Sequence, residues 1–252
     1  LMLLPQGVFA QAVATAAFPT FSTQAARGQR AEMRSTLAAT LRAILYLALP
    51  AAVGLIVLRE LLVELIFQRG AFTAMSTQMV SWALAFFALG LPAHSVVEIV
   101  VRAFYAMHDT RTPVAVGIGA MVLNVILSLA LIRIFEAAGW MALGGLALSN
   151  SVATFVEMVV LLIVVRRRLD GLEGRRMASS LARFGLAAAV MGVVAGALAW
   201  LLQDASVWLA GGLAMVVGFV EYVAASVGLG APEPLALWDA VTARRRGIVR
   251  TG

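Results

Sequence analysis

Long runs of apolar residues, separated by short polar loops, dominate this chain. Seven runs can be drawn, at 1–26, 36–58, 76–106, 113–135, 140–165, 181–202 and 207–229. An α-helix needs about 20 such residues to cross the roughly 30 Å hydrocarbon core of a bilayer. The pattern therefore predicts an all-α, polytopic membrane helix bundle with about seven transmembrane helices.

A shorter amphipathic stretch lies between the second and third runs, near residues 60–72. Its polar residues Glu60, Glu64 and Gln68 recur every four positions, so they share one helical face. Leu62 and Ile66 point to the other side. Because this stretch is too short to span a bilayer, we expect an interfacial helix.

Local signals place some of the helix ends. Thr112 followed by Pro113 is typical of an N-cap with proline at the first helical position. Gly139 before Trp140 predicts a short turn at the outer side of the membrane, with the indole at interface depth.

Composition agrees with a membrane protein. Hydrophobic residues make up 62% of the chain, charged residues only 13%, and the mean hydropathy is +0.95. Soluble domains are nearer half apolar and a quarter charged. The chain has no cysteine, which excludes disulfides and thiolate metal sites.

The arginines predict the orientation. All 19 basic residues are arginine, and most of them lie in short loops, which argues against nucleic-acid binding. Thirteen lie in the loops after the first, third and fifth runs or in the C-terminal segment, and three lie in the opposite loops. The thirteen are Arg27, Arg30, Arg34, Arg111, Arg166, Arg167, Arg168, Arg175, Arg176, Arg244, Arg245, Arg246 and Arg250. The positive-inside rule then predicts a cytoplasmic C-terminus and an outer start for the first helix.

The predicted organisation has four parts. Residues 1–166 form a core bundle of five spans, 167–180 a basic cytoplasmic linker, 181–229 a two-helix unit, and 230–252 a basic cytoplasmic tail. The chain starts inside an apolar run without a preceding basic region, which is typical of a fragment rather than of a signal peptide.

Polar residues in the first span share one face. Gln11, Thr15 and Ser22 are spaced by four and seven positions. Polar side chains facing lipid are costly, so we expect this face to meet other helices or water. Ordinary interhelical hydrogen bonds and the wall of a hydrated cavity are both compatible with the pattern.

The third span carries His94, Glu98 and Arg102 at four-residue spacing, on one helical face. Ionisable groups inside a membrane are usually paired or functional. Three interpretations stay open: a structural Glu98–Arg102 pair, a role in substrate or proton coupling, and an Arg102 that extends to the inner interface.

Oxygen-bearing side chains on the fourth and fifth spans suggest a weak sodium site. Asn124 and Ser128 lie one turn apart, and Asn150 lies on the next span. Because no carboxylate joins them, interhelical hydrogen bonding is the favoured interpretation. Glu157 and Glu221 are single acids within spans, without an assigned role.

The sequence lacks the motifs of common enzymes. It has no His-Glu-x-x-His pair, no Gly-x-Ser-x-Gly elbow, no phosphate-binding loop ending in lysine and no aspartate cluster for magnesium. We therefore expect a protein that is not an enzyme and has no cofactor, apart from possible coupling to sodium or to the membrane potential.

Several strings, in order, resemble the MurJ-type (MviN) lipid II flippases, a family of the multidrug/oligosaccharidyl-lipid/polysaccharide exporter superfamily. They are LPQGVF from position 4, LPAAVGL from 49, RGAFT from 69, LGLPA from 89 and RAFYAMHDTRTPV from 102. Pro19 with Ser22 adds to the match. The resemblance is dense in the first half of the chain, and beyond Arg166 only span count and hydropathy agree.

The resemblance implies the C-terminal lobe of a two-lobed, fourteen-span flippase in the bacterial plasma membrane. Such a protein exports lipid II, an undecaprenyl-pyrophosphate-linked precursor, by alternating access, and its partners would be lipid II, membrane lipids and an N-terminal lobe absent here. The implied cavity residues are Gln11, Thr15, His94, Glu98 and Arg102. Spans 181–229 would form a groove for the lipid tail.

Two further implications concern single positions. Asp109 and Arg111 match the inner loop after the third span and would fix its geometry. Asn124 matches a sodium ligand of some members, but Ser128 stands where they carry an acid. The alternatives are a related polysaccharide-lipid or drug exporter, an intramembrane polyprenyl-phosphate transferase, and a structural scaffold without transport.

Overall fold

The computed structural model describes residues 6–67, 72–204 and 206–231, and there it consists of helices joined by short turns. A π-helical segment, Gln6–Gln11, leads into the first of eight α-helices in these ranges. The helices are α1 Ala12–Ala26, α2 Arg30–Val57, α3 Arg59–Phe67, α4 Ala74–Ala106, α5 Arg111–Ala137, α6 Ala142–Arg168, α7 Gly174–Leu201 and α8 Val207–Gly228. The all-α prediction is confirmed.

Six of the described helices, α2 and α4 to α8, are long and apolar enough to cross a membrane. They correspond to the second to seventh predicted spans. The first predicted span is described only from Gln6, as a six-residue π-helix followed by the 15-residue α1. Its first five residues lie outside the described part, so this seventh crossing stays a prediction.

The long helices pack side by side in the order α5, α6, α4, α2, α7, α8. Helix α1 lies against α2 and α4, and the short α3 lies against α4 and α8. Helix α3 corresponds to the predicted interfacial helix, with Val63 fully buried and Ile66 exposed. The predicted residue Gln68 lies outside the described residues.

Two glycines permit close approaches of the α6 backbone to its neighbours. A Cβ atom built on Gly145 would lie 2.7 Å from the carbonyl oxygen of Leu131 in α5. A Cβ atom on Gly90 of α4 would lie 3.0 Å from the Cα atom of Ser151. Small residues let membrane helices approach in this way, because packing rather than water exclusion drives their association.

Buried aromatic residues join α2, α7 and α8. Tyr46 packs edge-on against Phe184 and at a tilt against Tyr222, with ring centroids 5.4 Å and 5.0 Å apart. The Tyr222 hydroxyl donates to the Tyr46 carbonyl oxygen at 2.6 Å, and the Tyr46 and Ser226 hydroxyls lie 3.1 Å apart. The pair α7–α8, predicted as a two-helix unit, is thus fastened to α2.

One end of the bundle, here called the arginine-rich end, gathers the turns 27–29, 107–110, 169–173 and 229–231. Arg34 donates to the Asp170 carbonyl oxygen at 3.2 Å, and Arg183 donates to that of Gly230 at 2.8 Å. Residues beyond 231 lie outside the described part, including most of the predicted tail. The predicted inner loops therefore do share one end.

The opposite, aromatic end brings together Trp82, Phe86, Phe135 and Trp140 in edge-to-face contacts, with centroids 5.3–6.1 Å apart. Gly139 has φ of 72°, a conformation that favours glycine. The short turn predicted at Gly139 is confirmed.

Three predicted helix ends were wrong. Helix α5 starts at Arg111, so Pro113 is its third residue rather than its first. Proline is still tolerated there, because N–H groups of the first turn have no partner within the helix. Helix α7 starts at Gly174, inside the predicted linker, and α2 starts at Arg30 rather than near residue 36.

Candidate functional site

The polar face predicted for the first span lies on α1 and on the π-helical segment before it, and its residues Gln11 and Thr15 are at the surface of this chain. Gln11 and Thr15 are exposed, whereas Ala10 and Ala14, one position earlier on each turn, are fully buried against the bundle. Ser22 instead donates to the Phe18 carbonyl oxygen of its own helix at 3.0 Å. Gln11 and Thr15 therefore face away from the lobe, as expected of groups that meet water or another helix.

His94 points from α4 to α6. Its Nε2 atom lies 3.1 Å from the Asn150 side-chain oxygen and 3.2 Å from the Thr154 hydroxyl. If Nε2 carries the proton, it can donate to either oxygen; if it does not, it accepts from the hydroxyl. In both tautomers the imidazole ties α4 to α6 at half-buried depth.

Glu98 and Arg102 form the ion pair that their spacing allows. The Arg102 guanidinium donates to Glu98 Oε1 at 2.6 Å, and each side chain remains about a quarter exposed, 26% and 28%. Arg102 Nε is buried and has no hydrogen-bond partner in the described residues. The pair lies on the same helix as His94, but its contacts do not include Asn150 or Thr154.

The structure separates the three residues predicted to form a sodium site. Asn124, Ser128 and Ser149 form one cluster between α5 and α6: the two hydroxyls are 2.7 Å apart, and Ser149 lies 3.0 Å from the Asn124 oxygen. Asn150 faces α4 instead and contacts His94. Grouping Asn150 with the other two was wrong, because its side chain points to the opposite neighbour of α6.

The remaining oxygens fit a cation poorly. Ser149 also lies 2.7 Å from the Leu146 carbonyl oxygen, so the oxygens of Asn124, Ser128 and Ser149 already take part in hydrogen bonds. None of the hydrogen bonds described for this cluster involves a carboxylate. A neutral, internally bonded set lacks the charge with which oxygen sites usually hold hard cations.

Asp109 shapes the loop between α4 and α5. It accepts from the Thr112 backbone N–H at 3.0 Å and from the Thr112 hydroxyl at 2.7 Å, and it pairs with Arg168 of α6 at 2.7 Å. These Thr112 hydrogen bonds, with a smaller effect from Arg168, hold the pKa of Asp109 below its usual value. Asp109, not Thr112, therefore caps α5.

Arg111 contributes to the same loop through its backbone N–H, which bonds to Asp109, while its side chain is exposed. His108, next to Asp109, has φ of 58°, which lets the chain reverse between α4 and α5. The role assigned to Asp109 and Arg111 in loop geometry stays a prediction until variants are tested.

Sequence reasoning missed three partners: Ser149, Thr154 and Arg168. Thr154 lies four residues after Asn150, so a shared helical face was readable from spacing alone. Ser149 and Arg168 gave no such signal, because their partners lie 25 and 59 positions earlier, in other segments. The single acids Glu157 and Glu221 are half-buried, and no hydrogen bond joins them to the described residues.

Six membrane-length helices, packed into one bundle with an exposed polar face at α1, define a multi-pass α-helical membrane protein. The family model described as "Lipid II flippase MurJ" matches residues 1–217. The chain belongs to the MurJ lipid II flippase family.

Individual relatives agree. The chain is 31% identical to the "Probable lipid II flippase MurJ" of Vibrio cholerae over 84% of its own length and 39% of that protein. It is 29% identical to the "Lipid II flippase MurJ" of Thermosipho africanus, over 65% of this chain and 32% of the relative. The chain thus spans well under half the length of these relatives.

The fold has a solved counterpart. A structure titled "Lipid II flippase MurJ, inward closed conformation" aligns with a TM-score of 0.71 and 24% identity. The alignment covers 89% of this chain and 44% of that one. At this identity the likeness establishes the fold, and the activity is argued separately below.

Proposed function

We propose that this chain acts as the C-terminal lobe of a bacterial plasma-membrane flippase that exports lipid II by alternating access. The observation that carries the proposal is the family match over residues 1–217. It is supported by the relatives' names and by a structural counterpart of which this bundle covers 44%. The transported molecule, and the rest of the transporter, belong to the proposal.

The polar face of α1 supports a cavity at the boundary of the lobe. Gln11 and Thr15 are exposed in this chain, and exposed polar groups at membrane depth need water or a polar partner. A second lobe facing α1 would enclose a hydrated path. His94, Glu98 and Arg102 contribute charge and hydrogen bonds to α4, which lies directly behind α1.

The outer surface of α7 and α8 supports contact with the lipid tail. Their outward side chains are large and apolar, among them Val193, Val216, Phe219 and Val220, each more than 60% exposed. The Tyr46–Tyr222 contacts fasten this surface to the lobe. An apolar surface of this kind matches a polyprenyl chain, and ordinary membrane lipid would also cover it.

The arginine-rich end is proposed to face the cytoplasm, which puts the C-terminus inside. A membrane potential negative inside then favours outward movement of the pyrophosphate group, by about 2.3 kcal/mol per charge per 100 mV. We therefore propose coupling to the potential rather than to sodium. In proteoliposomes, export should follow an imposed potential and survive replacement of sodium by choline; loss of export without sodium would contradict this.

Rescue of a bacterium depleted of its own lipid II flippase tests the function. The longest reading frame that contains this chain should restore growth. Growth failure despite confirmed membrane insertion would instead favour a related polysaccharide-lipid or drug exporter. Turnover of polyprenyl phosphates by the purified protein would favour the transferase alternative.

Cysteine labelling tests the cavity, and the natural lack of cysteine in this chain makes it clean. Gln11→Cys and Thr15→Cys should react with a water-soluble maleimide, because a thiolate forms only where water is present. Ala14→Cys, which is buried, and Val125→Cys, which is exposed on α5, are matched controls and should stay unlabelled. Equal labelling at Thr15→Cys and Val125→Cys would refute a hydrated path at α1 and favour a scaffold without transport.

A further inference from the structure

An open cavity of about 310 Å³ lies at the arginine-rich end, apart from the polar face formed by Gln11 and Thr15. It is bordered by the turn between α1 and α2, the loop after α4 and the last turn of α6. Met33 and Leu169, each 2% exposed, form part of its apolar floor. The cavity thus joins three segments that are distant in sequence.

Two of the four polar side chains that line the cavity are arginines, which carry a positive charge. Arg30 and Arg168 line it together with His108 and Gln24. In the described part of the chain Arg30 makes no ion pair, whereas Arg168 gives one bond to Asp109 and keeps further N–H groups. Two guanidinium groups at the membrane interface are the arrangement that recognises phosphate oxygens.

Gln24 adds an acceptor. Its amide nitrogen donates to the Thr36 hydroxyl at 2.9 Å, and its side-chain oxygen is buried with no partner in the described residues. Because this oxygen is enclosed by protein atoms, a hydroxyl of a bound ligand can reach it only if the amide rotates toward the cavity. Gln24 is therefore a polar residue of the cavity wall, and the arginines supply the groups that bind an anion.

The ends of three helices also border the cavity, and their partial negative charge opposes an anion. Some carbonyl oxygens of their last turns are already bonded to backbone N–H groups, those of Gly28, Met107 and Leu169. A helix end acts on a nearby surface charge more weakly than a guanidinium acts through a charge-assisted hydrogen bond. The Asp109 carboxylate, 2.7 Å from Arg168, offsets part of the positive charge of that arginine. Arg30, which makes no ion pair within the described residues, therefore contributes most to the preference of the cavity for an anion.

We propose that this cavity is a phosphate-binding site, separate from the transport path, for either the phosphodiester headgroup of an anionic lipid or free inorganic phosphate. Its volume is at the lower limit of small-molecule sites, so it suits a headgroup and not a large saccharide precursor. A bound phosphate would link the α1–α2 turn to α6 and stabilise the arginine-rich end.

Thermal unfolding of the complete protein in phosphatidylcholine nanodiscs tests this site. Phosphatidylglycerol in the nanodisc, or inorganic phosphate in the buffer, should raise Tm in a concentration-dependent way. Arg30→Gln should weaken the apparent affinity about tenfold, as expected for a lost charge-assisted hydrogen bond. Gln24→Glu, which adds a negative charge and reverses the bond so that the Thr36 hydroxyl donates, should weaken it as well.

Arg27→Gln is the matched control, because it removes the same charge from the same turn but Arg27 does not line the cavity. A response to phosphatidylglycerol alone identifies a lipid headgroup, and a response to inorganic phosphate identifies a soluble ligand. Equal effects of Arg30→Gln and Arg27→Gln, or no rise of Tm with either ligand, would overturn the proposal. Growth rescue is measured separately, so failure of the flippase proposal leaves this result readable.

Discussion

The two halves of the lobe are held together by different interactions. Away from the aromatic end, helices α4, α5 and α6 are joined by polar side chains, through His94 with Asn150 and through Ser128 with Ser149. Helices α2, α7 and α8 are joined by packed aromatic rings around Tyr46, and the hydroxyls of Tyr46 and Tyr222 are buried within this contact. In a bilayer, water exclusion does not drive helices together, so the helices depend on direct contacts of these two kinds.

The two kinds of contact differ in strength, so the two halves suit different roles. Interhelical hydrogen bonds in membranes contribute little each, about 0.6 kcal/mol on average, and can exchange partners with water. Aromatic packing is lost only by opening a cavity, which costs several times more. The polar half is therefore the one suited to border a hydrated path, and the aromatic half is suited to a fixed apolar surface.

The largest effect should come from the aromatic half. Phe184→Ala removes a fully buried ring that packs edge-on against Tyr46, and should destabilise the protein by about 3–4 kcal/mol. Phe155→Ala is the control, since Phe155 is 56% exposed on α6 and should cost less than about 1 kcal/mol. Unfolding in detergent or bicelles measures both. Similar costs for the two would show that the ring of Phe184 does not hold α7 to α2.

A close backbone approach should give the next largest effect, in the polar half. A side chain at Gly145 would meet the Leu131 carbonyl oxygen, so Gly145→Val must push α5 from α6, at about 2–3 kcal/mol. Gly119→Val is the matched control, because a Cβ atom at Gly119 meets nothing within 4 Å. If both valines are tolerated equally, glycine packing does not set the distance between α5 and α6.

The hydrogen bond between His94 and Asn150 should contribute less to stability than the two packing contacts above. Asn150→Val removes the oxygen nearest His94 Nε2 but leaves Thr154 in place, so we expect a loss of about 1 kcal/mol. A double-mutant cycle with His94→Leu measures the interaction, and Val152→Ala on the exposed side of α6 controls for helix effects. A coupling energy above about 2 kcal/mol would contradict the contrast between the two halves.

Helix existence and the Glu98–Arg102 pair could be predicted because both depend on local spacing. Runs of apolar residues define spanning helices, and residues four apart on a helix are neighbours. The partners of His94 could not be predicted from the sequence. Asn150 lies 56 residues further along the chain, and the contact depends on how α4 and α6 align in space. Asn150 was misassigned for this reason: spacing gives a face, but not the helix that the face meets.

The cap of α5 shows a second limit. Thr112 and Pro113 form a favourable start signal, yet Asp109 takes the capping role because a carboxylate can bond the Thr112 N–H and hydroxyl together. The choice also depends on Arg168, which approaches from α6 and is not a sequence neighbour.

The smallest predicted effect on stability concerns Asp109, whose polar contacts lie in a loop and not between spans. Its pKa is lowered in the folded protein, so its contribution is present above the usual aspartate value and is lost as pH falls through the folded pKa. Asp109→Ala should cost about 0.5 kcal/mol at neutral pH in phosphate-free buffer, and less near pH 3. Asp109→Asn should cost less than Asp109→Ala, because asparagine still caps a helix. If the loss of stability in Asp109→Ala does not depend on pH, the carboxylate contributes by its shape and not by its charge. If that loss exceeds the loss in Asn150→Val, polar interactions stabilise the loops more than they stabilise the contacts between spans.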